Sequence, residues 1–493
     1  MNGITLGAEY WWTPRWYVTA RYSYDNLNHS TAALSLGVRL GGAYTRLSSH
    51  AVQQRISDRI ERYPAQLGRG SGLPDRIVYR DAAARLLAQN PNLVLGPNGQ
   101  IVFPSSYWFF DQNVSDTSSI ASVTQCTYEA PCGPNQFDQS NLNSIAVLFP
   151  GADLYFNGGA YTAINFGTRA NTGISLAVGQ TLESRTADFR QTAASDQRTE
   201  FYGGFQLSGS NVLNNVSVQQ AGAITTGVVV NSGLNVIQNS VIGDDSYAYE
   251  TGLELINDSL TAVSDSNVWA NNSGIDITNS AFGLFSRDSI QVVEKMGNMY
   301  TNTGVSAEKG AYVYLNQLQI HVEGRARDAR GIELEDNALA TIQNSTIDAK
   351  NSVSSDTIAI GAYHQSNVLV QNSRLFASAQ NGNAIGMYRQ NDAVMNIQNS
   401  NVTAYSANKD TIGFFSLDNT TAISSVINNT WIFSDSPNGM AIGIYPYPGS
   451  TLIVSHSLIR INGGRTNSVP FYGKDDITLN NVLCFTNNYV VPC

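Results

Sequence analysis

An all-β protein, dominated by a right-handed parallel β-helix, is predicted by three features of the 493-residue sequence. A short segment of the form apolar-x-Asn-Ser-x-apolar recurs along most of the chain, with a period of about 27 residues. A second, unrelated segment keeps the same spacing. Within each repeat the apolar residues alternate with period two, as in strands, and no helical 3.6-residue pattern runs through them.

The first segment reads IQNSVI at 237–242, IQNSTI at 342–347, VQNSRL at 370–375, IQNSNV at 397–402 and INNTWI at 427–432. Variants are LNNVSV (213–218), VSDSNV (263–268), LNQLQI (315–320), VSHSLI (454–459) and LNNVLC (479–484). The large gap between Asp265 and Gln317 is filled by a degenerate copy, expected near Ile290 to Met296. The second segment begins as GVVV at 227, GLEL at 252, GIDI at 274 and GIEL at 331, and continues as IGAY, IGMY, IGFF and IGIY up to 445.

Two signals with one period describe a solenoid in which each coil covers its neighbour's apolar face. Three short strands per coil fit a parallel β-helix similar to the pectin-lyase-like fold; left-handed hexapeptide helices need a shorter period. About eleven coils over 206–485, stacked at about 4.8 Å, give a rod roughly 50 Å long.

The repeated Asn sits where the chain turns sharply between strands, and Asn tolerates the left-handed backbone region. Asn215, Asn239, Asn344, Asn372, Asn399, Asn429 and Asn481 are expected to form an amide ladder along the axis, with Asp265, Gln317 and His456 as substitutes.

The ends of a β-helix expose core and sheet edge, so both need covers. Residues 91–205 are assigned to the N-terminal cover and first coils, and 486–493 to the C-terminal cover. Four cysteines fall in two sequence-local pairs, Cys126 with Cys132 and Cys484 with Cys493. Their even number fits disulfides formed in an oxidising compartment. Three connectivities are open, of which two local loops are the simplest.

Residues 1–42 have a different character. Three alternating runs of about ten residues each carry one apolar face, for example Trp16, Val18, Ala20, Tyr22 and Tyr24. Such strands suit the end of a transmembrane β-barrel; the alternative is a soluble antiparallel sheet with one buried face. Three strands cannot close a barrel, so the barrel reading expects further strands and a signal peptide before Met1. Residues 43–90 read as a linker: a charged helix from Ala51 to Tyr63, then a Gly-rich stretch ending at Pro74. The helix either threads the barrel lumen or is solvated.

The order of strands, then RISDRIERYPAQLGRGSGLP, then a β-rich segment resembles the inverse autotransporters of the intimin and invasin class. YWFFDQN (107–113), CTYEAPCGPNQF (126–137), LYFNGGAY (154–161) and GQTLESRTADF (179–189) are similar to passenger starts in that family. The resemblance implies an outer-membrane protein with an extracellular passenger, acting as an adhesin on a host-cell protein or glycan. Most of the family's barrel strands, its signal peptide and its periplasmic module are missing from this sequence.

Formal charge is −10, with only 13% charged residues. Residues 1–90 hold eleven Arg against six acids, so the passenger carries the negative excess. That excess argues against a nucleic-acid partner. Neither a metal-ligand spacing nor a phosphate loop is present, and no cofactor is expected. Gly243-Asp244-Asp245 and Ser455-His456-Ser457 with Arg460 echo polysaccharide hydrolases faintly, but they fall nearly eight coils apart. An enzyme acting on polysaccharides and a non-adhesive structural surface protein are the alternatives to an adhesin.

The most suggestive exposed feature is aromatic. Tyr363, Tyr388, Phe415, Tyr445 and Tyr472 close the second segment in the last five coils, and are expected to form one outward stripe. Gly361, Gly386, Gly413, Gly443 and Pro470 would lie outward beside them, in the place that Glu254, Asp276 or Glu333 takes in earlier coils. Such a stripe suits ligand docking, or merely stabilises the surface.

Overall fold

The computed structural model describes the backbone of residues 3–11, 16–25, 29–38, 94–95 and 101–102. It also describes 107–493, apart from 123–124, 162–172, 247, 296–300, 418–424, 448–449 and 474–476. The chain divides into two compact units, residues 1–80 and 81–493. In the first, β1 (Gly3–Trp11), β2 (Trp16–Asp25) and β3 (His29–Val38) form an antiparallel meander. Gly3 is paired with Asp25 and Trp16 with Val38. The three runs are therefore strands; the helix expected at Ala51 to Tyr63 lies outside the described residues.

The second unit is an all-β parallel solenoid. Its coils stack three strands deep into ladders, and the repeat at 339–362 shows the plan: Leu339–Gln343, Thr346–Asn351 and Thr357–Ala362. Each pairs in parallel with its counterpart in the next coil, placing Ile342 beside Val370, Ile347 beside Leu375 and Ile360 beside Met387. The first ladder holds 14 strands, from Tyr107–Phe110 to Ile477–Asn480. Eleven of these fall between Val212 and Asn480, one per coil. The second and third ladders share the strand Asn267–Ile277, which runs through both.

Alternation builds the core. In Leu339–Gln343 the side chains of Ala340 and Ile342 are buried while Leu339 points outward, and most first-ladder strands repeat that order. Fully burying a side chain such as Ile stabilises by about 1.5–3 kcal/mol, and each coil supplies several.

The corner between the first and second ladders turns on one left-handed residue. Asn215, Asn239, Asp265, Arg287, Gln317, Asn344, Asn372, Asn399, Asn429, His456 and Asn481 all have φ between 47° and 61°. They stand in single file, because the strands ending just before them pair in register. The unseen repeat is FSRDSI at 285–290, a few residues before the expected Ile290 to Met296. Arg287 and Asp288 replace the usual Asn and Ser there, which hid it. Arg287 holds the file through a two-pronged ion pair with Asp265, both contacts at 2.6 Å.

The amide ladder is less continuous than expected. Among the described residues one direct amide-to-amide link joins the file, Asn429 Nδ2 to Asn399 Oδ1 at 2.8 Å. Asn344 donates instead to Asn316, the residue just before the turn one coil back (2.9 Å). Most of these amides are exposed, so Asn is there chiefly for its backbone. The hydrogen-bonded column is the next residue. Ser240, Ser266, Ser345, Ser373, Ser400, Thr430 and Ser457 are buried, and each hydroxyl donates to the carbonyl two residues earlier. The six Ser oxygens also accept backbone N–H groups from the preceding coil, as Ser373 does from Ser345 (3.1 Å).

A second corner, between the third and first ladders, uses two consecutive left-handed residues: Asp336 and Asn337, His364 and Gln365, Asn391 and Asp392. Four of these six are Asn or Asp, short polar residues suited to such turns.

The ends are covered. At the N-terminal end the helix Gln139–Leu148 starts at Asp138, whose carboxylate caps the Asn141 N–H (2.7 Å), and buries Leu142 and Ile145. Sequence reading missed this helix, which has only ten residues and a weak apolar face. Phe110, Phe137, Phe156, Tyr161 and Phe201 pack edge-to-face or stacked beneath it. Cys126 is bonded to Cys132 and Cys484 to Cys493. The second bridge ties down Tyr489–Val491, which turns back antiparallel on Leu483–Thr486.

Candidate functional site

The third ladder carries the aromatic residues. Their rings form an unbroken row: centroids lie 5.3 Å apart from Tyr363 to Tyr388, 5.4 Å to Phe415, 5.0 Å to Tyr445 and 4.7 Å to Tyr472. Exposure grows along the row. Tyr363 is almost buried, Tyr388, Phe415 and Tyr445 are half-buried, and Tyr472 is 47% exposed. The Tyr388 hydroxyl donates to Gln390 Oε1 at 2.8 Å.

Register corrects two details of the expectation. Gly361, not Tyr363, is the strand partner of Tyr388, and Tyr388, Phe415 and Tyr445 follow in line. Tyr363 joins the row by folding its ring over Gly361, where a Cβ would meet that ring at 2.9 Å. The other glycines do not lie outward. A Cβ on Gly386, Gly413 or Gly443 would strike the buried Val402, Ile432 or Ile459 of the second ladder at 2.2–2.4 Å. Glycine is thus demanded by the core, where two ladders approach each other.

The same register column continues with a different chemistry in earlier coils. Gly361 follows Glu333, Ser306, Asp276 and Glu254 in file. Burial pushes the Glu254, Asp276 and Glu333 carboxyls up; for Glu254 the neighbouring Asp276 adds to it. Glu333 is hydrogen-bonded to Arg330, and Asp276 accepts from Ser273. Burial also raises the Tyr363 phenol, with the Arg330 guanidinium 5.9 Å from its ring centroid. One stripe therefore changes from acidic to aromatic at Glu333.

The polysaccharide-hydrolase echo does not assemble. His456 occupies a left-handed corner slot (φ 49°), and its N–H donates to Asn480. Asp244 and Asp245 follow Val241–Ile242, eight coils away along the first ladder. At about 4.8 Å per coil that is roughly 38 Å. Among the described residues no group of three or more His, Cys, Asp or Glu side chains is placed to hold a metal ion.

A second exposed feature lies on the second ladder. Outward side chains of Thr346–Asn351, Arg374–Ala379, Asn401–Ser406 and Trp431–Ser436 line a shallow trough of about 480 Å³. Arg374, Asn401 and Trp431 share one register column, and Phe376, Thr403 and Phe433 share another. Sequence reading missed it. These residues are variable positions of the first repeat segment, and only the alignment of NSRLF, NSNVT and NTWIF by their corner Asn would have put them in file.

No family model and no curated protein matches the chain. Solved structures similar to it include a mannuronan C-5 epimerase A-module of Azotobacter vinelandii, 12% identical, covering 70% of this chain and 93% of that one with a TM-score of 0.38. A pectate lyase is 11% identical over 76% and 78%, with a TM-score of 0.33. The tailspike protein of E. coli bacteriophage HK620, in complex with a pentasaccharide, is 10% identical over 82% and 87%, with a TM-score of 0.23. With scores this low, none of the three bears on what this chain does.

Proposed function

We propose that this protein is a surface-displayed adhesin: the passenger of an inverse autotransporter, engaging a host-cell glycan or protein along its third ladder. The observation that carries the reading is the unbroken row of five rings from Tyr363 to Tyr472. Tyr offers apolar area with a polar tip, and stacked coils hold successive rings at fixed spacing without loop entropy to lose on binding. In this reading β1, β2 and β3 are the last strands of an outer-membrane barrel, and the solenoid winds right-handed, as about 98% of parallel crossovers do. Replacing Tyr388, Phe415 and Tyr445 together with Ser is expected to abolish attachment to host cells while preserving the solenoid's circular dichroism. Unchanged attachment would remove the stripe from the function.

A polysaccharide-cleaving activity is the second reading, and one observation favours it. Glu254 and Asp276 are register partners one coil apart, and burial raises both carboxyls, the direction a general acid needs. Release of reducing ends from acidic polysaccharides, lost in Asp276→Asn, is its test; no release from any of them rejects it.

A further inference from the structure

The trough on the second ladder has the chemistry of a site. Trp431 is 62% exposed, an indole placed in water where a solenoid surface position needs only a polar residue. Phe376 and Phe433 lie half-buried beside it, two coils apart in one column. Lys350 is engaged by Asp348 at 2.7 Å, and Asp348 also pairs with His321 at 3.1 Å. Arg374 is different. It is exposed, and among the described residues no hydrogen bond or ion pair engages its guanidinium.

The arrangement selects one kind of ligand. A flat indole flanked by phenyl rings suits the C–H face of a pyranose, and the Asn401 amide and Thr403 hydroxyl offer both donors and acceptors to sugar hydroxyls. A guanidinium fork pairs two oxygens of a carboxylate or sulfate. Arg374 and Trp431 are two coils apart, roughly 10 Å along the axis, a span of about two linked sugar units. We infer that this trough binds an anionic saccharide, one pyranose stacking on Trp431 while the acidic group of a neighbouring unit pairs with Arg374. The site is separate from the third-ladder stripe and does not depend on it.

The full chain titrated by calorimetry with hexagalacturonate, a heparin-derived hexasaccharide and cellohexaose tests this. One or both anionic probes should bind, cellohexaose at least tenfold more weakly, and binding should fall as salt rises. Binding of hexagalacturonate shows that a carboxylate suffices, whereas binding of the heparin hexasaccharide alone, which carries both groups, shows that sulfate is needed. Trp431→Ala and Arg374→Gln should each weaken binding at least tenfold, with Arg374→Lys recovering part of the loss. Both side chains are exposed, so melting temperatures should stay unchanged. The triple Ser variant of the third ladder should bind these probes as the unaltered chain does. Equal binding of cellohexaose, no binding of either anionic probe, or full binding by the Trp431 and Arg374 variants overturns the inference.

Discussion

The backbone N–H of Ser345 donates to the hydroxyl of Ser373 one coil further on, at 3.1 Å, and that hydroxyl in turn donates to the Gln371 carbonyl at 2.7 Å. The geometry recurs at Ser240 with Ser266 and at Ser373 with Ser400. Each hydroxyl both closes its own corner and satisfies a buried N–H of its neighbour, so the column fixes the register between coils.

Removing one rung should therefore be costly. Ser373→Ala strands the Ser345 N–H in a dry corner, and an unsatisfied buried donor costs about 1–3 kcal/mol. Asn372→Ala acts on the backbone instead: at φ 51° an added alanine is disfavoured by about 1–2 kcal/mol, while Asn372→Gly should be close to neutral. Urea unfolding of the three variants separates hydroxyl from backbone. A neutral Ser373→Ala would deny the column its structural role.

Glycines of the third ladder separate in the same way. Gly413→Ala drives a methyl to within 2.2 Å of Ile432 Cγ2 and 2.6 Å of the Gly443 carbonyl, a backbone atom that cannot step aside. Gly361→Ala meets the movable ring of Tyr363 at 2.9 Å. The first should destabilise by about 1–3 kcal/mol or more, and the second by clearly less. Equal losses in thermal unfolding would contradict the inward placement of Gly413.

The coil period, the corner residues and the ring stripe were legible in the sequence because each repeats the same residue type at the same beat. Arg287 and Asp288 escaped detection because Arg takes the left-handed corner that Asn takes elsewhere, and Asp takes the buried slot of Ser. The Ser column was visible as letters but misread, since exposure, which periodicity does not report, decides whether Asn or Ser carries the hydrogen bonds. The inward glycines were misplaced because the two ladders converge at that corner, and strict alternation fails where backbones come that close. The trough was hidden because Arg374, Asn401 and Trp431 are three different residue types in one file.

The C-terminal cover predicts a local effect. Cys493→Ser frees Tyr489–Val491 from the hairpin that the Cys484 bridge holds. In a solenoid each coil touches only its neighbours, so amide exchange should quicken in Leu483–Thr486 and leave Leu339–Gln343 unchanged. Uniform acceleration would mean that the cover governs the whole array.

Asp288 gives the stability a pH dependence whose sign can be worked out. It stands in the Ser column, buried, accepting the Ser266 and Ser286 N–H groups at 2.8 Å each, and burial pushes its carboxyl up to about 7. An unfolded Asp titrates near 3.9. Between about pH 4 and pH 7 the native state holds a proton that the unfolded chain has lost, so stability falls as pH rises through that window and levels off above it. The total loss is on the order of a few kcal/mol. Asp288→Ser restores the residue type of the column and removes the buried carboxyl. The urea midpoint should be higher at pH 5 than at pH 8 in the unaltered chain, and that gap should narrow in the variant, leaving the part due to the other raised carboxyls, Glu254, Asp276 and Glu333. An identical pH response in both would show that Asp288 titrates as an ordinary carboxylate and that other groups set the slope.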